Sequence, residues 1–248
     1  MEALRIEGLS KNFGALQVLE NVSFSVEKAE CRVVIIGPNG AGKTTLFNLI
    51  SGELSPTAGK ITLFSKDVTN MPNYRRVRLG LGRTFQIPDL FFNLTLFENV
   101  RLAVMADKRA RFALYRPVGA FGELREGVKR LLDYVGLWEK REDQVSSLSH
   151  GEVRRLEIIL GMASSPGLLL LDEPTAGLSS SEAEQLATQL RSLLGEIAVI
   201  IIEHDMKVAF ALADRITVLN QGRILVEGTP ADIKADPRVR AVYLGVEG

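Results

Sequence analysis

Residues 32–46 read R-V-V-I-I-G-P-N-G-A-G-K-T-T-L. An apolar run of Val and Ile stops at Gly37 and a loop carries Pro38, Asn39, Gly40, Ala41 and Gly42. Lys43, Thr44 and Thr45 then open a segment with Leu46, Leu49 and Ile50 on one helical face. Strand, glycine loop, Lys-Thr and helix in that order make up the phosphate-binding loop pattern. Glycines let backbone N–H groups turn inward around a phosphate, Lys43 reaches the β- and γ-phosphates, and the Thr44 hydroxyl is a ligand for Mg2+. The helix behind the loop adds its positive end. A plain strand-to-helix turn would account for the glycines but not for the Lys-Thr pair that follows them.

Three more short apolar runs, LLLLD (168–172), AVIII (198–202) and RITVL (215–219), alternate with helix-period segments. That alternation marks a mostly parallel sheet covered by helices. One such helix, over 181–195, has Ala183, Leu186, Ala187, Leu190 and Leu194 on one face. Nearer the N-terminus, ALRIEGLSKNF, LENVSFSVEK and GKITLFSKDV alternate over shorter spans and read as an antiparallel sheet beside the parallel one. Residues 94–165 instead show helix patterns and no convincing strand, with Leu124, Val128, Leu131, Leu132 and Val135 in a run that ends at Gly136. The expected fold is α/β. It has a P-loop NTPase core with a mostly parallel sheet (1–90 and 166–248), an N-terminal antiparallel β subdomain, and an inserted helical subdomain over about 91–165, all within one domain.

Open sheets of this kind bind ligands outside the carboxyl ends of their strands. Asp172 ends one apolar strand, where its carboxylate can hold a metal through water, and Glu173 beside it is placed to polarise the attacking water or accept its proton. His204 ends the next strand at the same edge and would reach the γ-phosphate. Gln86, in GRTFQ, ends a short strand just before the helical insert; a neutral amide there could touch Mg2+ or the water, but by itself it reads as a solvent-exposed glutamine.

The totals narrow the remaining classes. With 30 basic and 30 acidic side chains among 248 residues, no overall field points to nucleic acid or an anionic membrane as partner. A single cysteine, Cys31, excludes an intrachain disulfide and reads as a small buried hydrophobe. The opening MEALRIEGLS lacks the basic-then-apolar order of a secretory leader, and the longest apolar runs fall far short of the ~20 residues a bilayer needs. The basic group Lys108, Arg109, Arg111 and Arg116 reads as a solvated loop.

Residues 148–152, Leu-Ser-His-Gly-Glu, open another helix. Ser149 and Glu152 form the capping-box pair, which leaves His150 and Gly151 unexplained. Taken with the motifs above, this stretch completes a set, and the chain resembles the nucleotide-binding subunits of ABC transporters over essentially its whole length. GPNGAGKTT is similar to their Walker A, Gln86 to the Q-loop, LSHGE to the signature, LLLLDEP to Walker B with its adjacent glutamate, AGLSS to the D-loop and His204 to the switch histidine. Phe13 matches the aromatic that stacks on adenine.

The resemblance implies an ATPase using ATP and Mg2+, with Glu173, His204, Lys43 and Gln86 catalytic. It implies nucleotide contacts from Phe13, residues 37–45, Ser149 and Gly151, and metal contacts from Thr44, Gln86 and Asp172. It also implies two subunits paired head to tail, as a homodimer or with a paralogue, so that Ser149 and the Gly151 N–H donate to the phosphate held by the other chain. His150 and Glu152 stand where the usual Leu-Ser-Gly-Gly-Gln has a Gly and the Gln, and Ser179 stands where the D-loop has Asp.

Within the family, GLGRTFQIPDLFFNLTLFENV and GTPADIKADPRVRAVYLG are similar to an ATPase subunit of branched-chain amino acid importers and of the related urea and short-amide importers. A lipid or lipopolysaccharide exporter's ATPase is the rival within the family. A soluble ABC ATPase of DNA repair or translation would be expected to carry a long coiled coil or a second cassette, and a lone P-loop kinase would leave LSHGE idle. The expected setting is the cytoplasmic face of the inner or plasma membrane, with integral permease subunits as partners. A helix of those subunits should dock in a groove near Gln86 and Ile87 to Phe97. Of the adjacent Phe91 and Phe92, one should face the interior and the other the partner.

Overall fold

A computed structural model describes residues 2–28, 32–84, 90–106, 119–193 and 197–244. The strands are β1 (Glu2–Phe13), β2 (Leu16–Glu27), β3 (Arg32–Ile36), β4 (Ala58–Leu63), β5 (Lys66–Asp67), β6 (Leu81–Arg83), β7 (Leu168–Asp172), β8 (Ala198–Ile202), β9 (Arg215–Asn220) and β10 (Arg223–Gly228). They form two sheets, a four-stranded one in the order β2-β1-β4-β5 and a six-stranded one in the order β10-β9-β3-β8-β7-β6. The first is antiparallel, as its alternating sequences imply. In the second, β3 sits between β8 and β9 with Val34 opposite both Ile201 and Ile216, and all neighbours run parallel except β10 on β9.

Period-2 alternation divides the large sheet between two cores. Val33, Ile35, Leu168, Leu170, Ile200 and Ile202 face one cluster with Leu46 and Leu49 of α1 (Lys43–Ser51) and with Leu4 and Ile6 of β1. Val34, Ile36, Leu169, Leu171, Val199 and Ile201 face the other, which takes in α6 (Ser180–Leu193), α7 (Met206–Leu212), α8 (Pro230–Ala235) and α9 (Pro237–Leu244). Burial on both faces is why these strands are apolar throughout. Truncating any one of them, Ile35 to Ala for example, would cost ~2–5 kcal/mol.

Between the halves of this core, α3 (Leu96–Ala106), α4 (Gly119–Tyr134) and α5 (His150–Met162) build a third cluster around Leu96, Val100, Val128, Leu132, Leu156 and Ile159. Short α2 (Asn73–Leu79) carries the buried Arg76. Its guanidinium donates to the Leu49 and Ile50 carbonyls at 2.7 and 2.8 Å, capping the end of α1 together with the Gly52 N–H, which reaches the Leu49 carbonyl at 3.3 Å. No helix among the described residues is long and apolar enough to cross a membrane.

One expectation fails. Phe91 and Phe92 are both exposed, at 58% and 45%, while Leu90 and Leu96 are buried. The rule that neighbours face opposite ways belongs to helices and strands. Here the chain turns, the Leu94 N–H donating to the Phe91 carbonyl at 3.0 Å, and the turn throws both rings outward. Cys31, Ile87 and the basic group 108–116 lie outside the described residues.

Candidate nucleotide site

The phosphate loop is braced from three sides. Its first residue, Gly37, lies against β9, where a Cβ would stand 2.1 Å from the Leu219 carbonyl oxygen. Gly42 has φ +102, and a Cβ there would meet Leu19 of β2 at 2.7 Å, so only glycine fits. The Ala41 carbonyl accepts from the Gly222 N–H of the β9–β10 turn at 3.1 Å. Lys43 Nζ folds back over the loop, donating to the carbonyls of Gly37 at 2.6 Å and Pro38 at 3.1 Å. Burial holds the Lys43 amine below its ordinary pKa, against the pull of Glu173 and Asp172 nearby. Asn39, Gly40 and Thr44 are exposed and Thr45 is half-buried at the start of α1.

The carboxyl ends of β7 and β8 supply the acidic groups. Asp172 is buried, and neither carboxylate oxygen has a hydrogen bond among the described residues. Burial raises its pKa, offset by the Arg83 guanidinium 3.8 Å away. Glu173 follows with φ +47, an uncommon conformation for a residue with a side chain, held by its N–H donating to the Ile202 carbonyl at 3.0 Å. Its carboxylate lies 3.9 Å from Nδ1 of the exposed His204. Register explains the meeting, because Asp172 pairs with Ile202 and the residues that follow leave the sheet side by side.

Two side chains that the sequence did not single out organise this edge. Arg83, at the end of β6, donates to Asn48 at 2.8 Å and Ser51 at 2.7 Å on α1, pairs with Glu53 at 3.0 Å and faces Asp172. Glu203 is fully buried and accepts from the Thr175 hydroxyl at 2.9 Å and N–H at 3.3 Å, joining the chain after Glu173 to the chain before His204. Burial pushes the Glu203 carboxyl up, against these bonds. The only sequence signal for either was a charge beside an apolar strand end.

Phe13 is 46% exposed at the tip of the β1–β2 hairpin, not a core aromatic, with Lys11 Nζ 5.0 Å from its ring centre. It pairs with Leu16, and β2 runs from there to the Val18 and Leu19 atoms that touch Gly42. Ser149 and Gly151 are elsewhere. No hydrogen bond or ion pair among the described residues links them to residues 37–45. Ser149 caps α5 in the expected capping box, its N–H and hydroxyl donating to Glu152 at 3.0 and 3.1 Å.

The charge of Glu152 meets Lys140 at 2.6 Å. Burial pushes the Glu152 carboxyl up, but Lys140 and Ser149 together hold it below its ordinary value. Ser179 caps α6 through Glu182 at 2.6 Å, and a Cβ on Gly151 would lie within 4 Å of Leu178 and Glu182, so the LSHGE and AGLSS stretches are neighbours. Gln86 lies outside the described residues.

The residues present suit a magnesium nucleotide. The two buried carboxylate oxygens of Asp172, without hydrogen bonds among the described residues, are what a hydrated cation would satisfy, and the glycine cradle beside Lys43 is shaped where a Cβ would obstruct it.

Fold and site together define an ATP-binding cassette, and the family model for the ABC transporter matches residues 19–176. The chain belongs to the ABC transporter ATP-binding family and is an ATPase of that family. A second model, for the branched-chain amino acid ATP-binding cassette transporter, matches residues 223–248. The chain is 39% identical over 249 residues to the high-affinity branched-chain amino acid transport ATP-binding protein LivG of Salmonella typhimurium, covering 98% of this chain and 97% of that one. Among solved structures it resembles an ATP-binding cassette of an ABC transporter in its ADP conformation, with TM-score 0.84, 28% identity and 99% of each chain covered. It also resembles a dimeric cassette in a post-hydrolysis state bound to ADP and Pi, with TM-score 0.76, 26% identity, and 92% of this chain and 98% of that one covered.

Proposed function

We propose that this chain is the ATP-hydrolysing subunit of an importer of branched-chain amino acids, working at the cytoplasmic face of the membrane beside integral permease subunits. The observation that carries the catalytic half is the meeting of Glu173 and His204, 3.9 Å apart, next to the buried carboxylate of Asp172, which has no hydrogen bond among the described residues. The substrate half rests on the likeness of residues 223–248 to the branched-chain amino acid cassettes.

In this reading the N–H groups of residues 37–45 cradle the phosphates of ATP. Lys43 exchanges its two loop carbonyls for β- and γ-phosphate oxygens. Thr44, Asp172 and Gln86 would hold Mg2+, which when bound supplies charge neutralisation at the phosphate oxygens. Glu173 orients a water in line with the γ-phosphorus and takes up its proton as the P–O bond to the leaving ADP breaks. His204 contacts the transferred phosphoryl group, and Phe13 stacks on the adenine.

No hydrogen bond or ion pair among the described residues ties Ser149 or Gly151 to residues 37–45 of the same chain, which supports a second ATPase subunit, an identical copy or a paralogue, whose phosphate they meet. The separate apolar cluster of α3, α4 and α5 supports reading about 91–165 as a helical subdomain on a core of 1–90 and 166–248. Where the two meet lies a cavity of about 320 Å3 lined by Arg83, Leu90, Phe91, Asn99, Leu102 and Glu157. It is the place for a cytoplasmic helix of the permease, with the exposed Phe91 and Leu102 on its rim.

Deleting the gene in its host and measuring uptake of radiolabelled leucine, isoleucine and urea tests the reading. Loss of branched-chain uptake, restored by the wild-type chain and not by Glu173→Gln, is expected. Intact branched-chain uptake with lost urea uptake would reassign the substrate.

A further inference from the structure

The segment shared with the branched-chain amino acid cassettes, residues 223–248, contains α9, and α9 packs on the cluster that includes the last residue of β3. Val239 of this helix is buried in the cluster that holds Ile36 and Val218, and the ring of Tyr243 packs on the same cluster. Ile36 is the last residue of β3 before the phosphate loop, and the backbone group met by the Tyr243 hydroxyl belongs to the next residue, Gly37. Its hydroxyl faces the backbone N–H of Gly37 yet falls short of a formed hydrogen bond, leaving the oxygen buried with no partner among the described residues.

A buried hydroxyl without a partner is destabilising, and a phenylalanine would fill the same volume without that cost. Burial also drives the phenol's pKa upward, which keeps it protonated and able both to donate and to accept. Gly37 has no room toward β9, where a Cβ would stand 2.1 Å from the Leu219 carbonyl oxygen. A small movement of the loop along the remaining direction would carry the Gly37 amide toward or away from the hydroxyl.

We propose that Tyr243 is a positioning residue for the phosphate loop, its hydroxyl accepting a hydrogen bond from the Gly37 N–H when the loop closes on nucleotide phosphates. The C-terminal helix is thereby tied to nucleotide occupancy. This rests on reading residues 37–45 as the ATP site, and it goes further by giving the C-terminal segment a part in holding that site.

Tyr243→Phe removes the hydroxyl and keeps the ring. Without nucleotide, the variant should melt at or above the wild-type temperature, because an unsatisfied group has gone. Its affinity for a fluorescent non-hydrolysable ATP analogue with Mg2+ should nevertheless fall about three- to tenfold, the equivalent of one hydrogen bond. KM for ATP should rise by a similar factor, with kcat changing less.

A packing role alone would leave affinity untouched, so a Tyr243→Phe chain that binds the analogue as tightly as wild type overturns the proposal. Hydrogen exchange on the unmodified protein is a second measurement that needs no variant. Peptides spanning Ile36–Gly37 and those of α9 should gain protection together when the analogue is added, and protection confined to the loop would also overturn it. If the wild type binds no nucleotide, the site reading itself fails and takes this proposal with it. Tight wild-type binding with an indifferent Tyr243→Phe sinks the proposal alone.

Discussion

Replacing Glu173 with Gln exchanges a carboxylate for an amide of nearly the same volume at a position where the fold loses little. The unusual backbone there is held by the N–H bond to Ile202, which the substitution leaves alone. His204 Nδ1, 3.9 Å away, is beyond hydrogen-bond length, so no hydrogen bond to it is broken. Two electrostatic effects oppose one another. The Glu173 charge disfavours ionised Asp172 and favours protonated Lys43, and losing it relieves the first while weakening the second. Stability should therefore move by no more than about 0.5 kcal/mol.

Catalysis should suffer far more. A positioned base contributes roughly 10²–10⁴ in rate, or about 2.7–5.5 kcal/mol of barrier. Phosphate release at saturating MgATP should thus fall by on the order of 10²-fold or more, with unchanged affinity for ATP, because the cradle of residues 37–45 is intact. With hydrolysis slowed, ATP should drive the variant into dimers visible by sedimentation. Near-wild-type turnover would remove Glu173 from the mechanism, and a strictly monomeric variant at saturating ATP would overturn the shared-site model.

Phe91→Ser and Phe92→Ser should both fold and hydrolyse ATP normally, since both rings are exposed; at least one should lower transport by the assembled complex, and normal transport by both would place the permease elsewhere. Asp172→Asn should stabilise the nucleotide-free chain. Burial holds the Asp172 carboxyl above its ordinary 3.8, so the associated stability is fully present below that pH and is lost as pH rises through the folded value. Near neutral pH the buried charge is a cost that Asn removes, and each kcal/mol regained should raise Tm by about 2–4 °C. Melting curves at pH 5 and pH 8 check this, and a lower Tm for Asp172→Asn at pH 8 would contradict it. The same variant should lose the Mg2+-dependent gain in nucleotide affinity.

Much of this protein is legible residue by residue because its chemistry is local. The phosphate loop works through consecutive N–H groups, so its glycines, Lys43 and Thr44 must be neighbours in the chain. The sheet's strands announce themselves because burial on both faces leaves room only for apolar side chains. The Ser149–Glu152 cap is visible for the same reason, its bonds closing within one helical turn.

Other features depend on residues far apart in sequence. Arg83 looked like a strand-end charge until the fold set it against Asn48, 35 residues away, and Asp172. Glu203 became a tie only when β7 and β8 brought Thr175 to it across 28 residues. Lys140 neutralises Glu152 from outside its helix, and Tyr243 approaches Gly37 from the other end of the chain. Phe91 and Phe92 turned out alike because a turn, not a strand or helix, carries them. Periodicity and motif spacing express forces between near neighbours, whereas pairing a buried charge or hydroxyl with its partner waits on the topology that carries distant strands and helices to one edge.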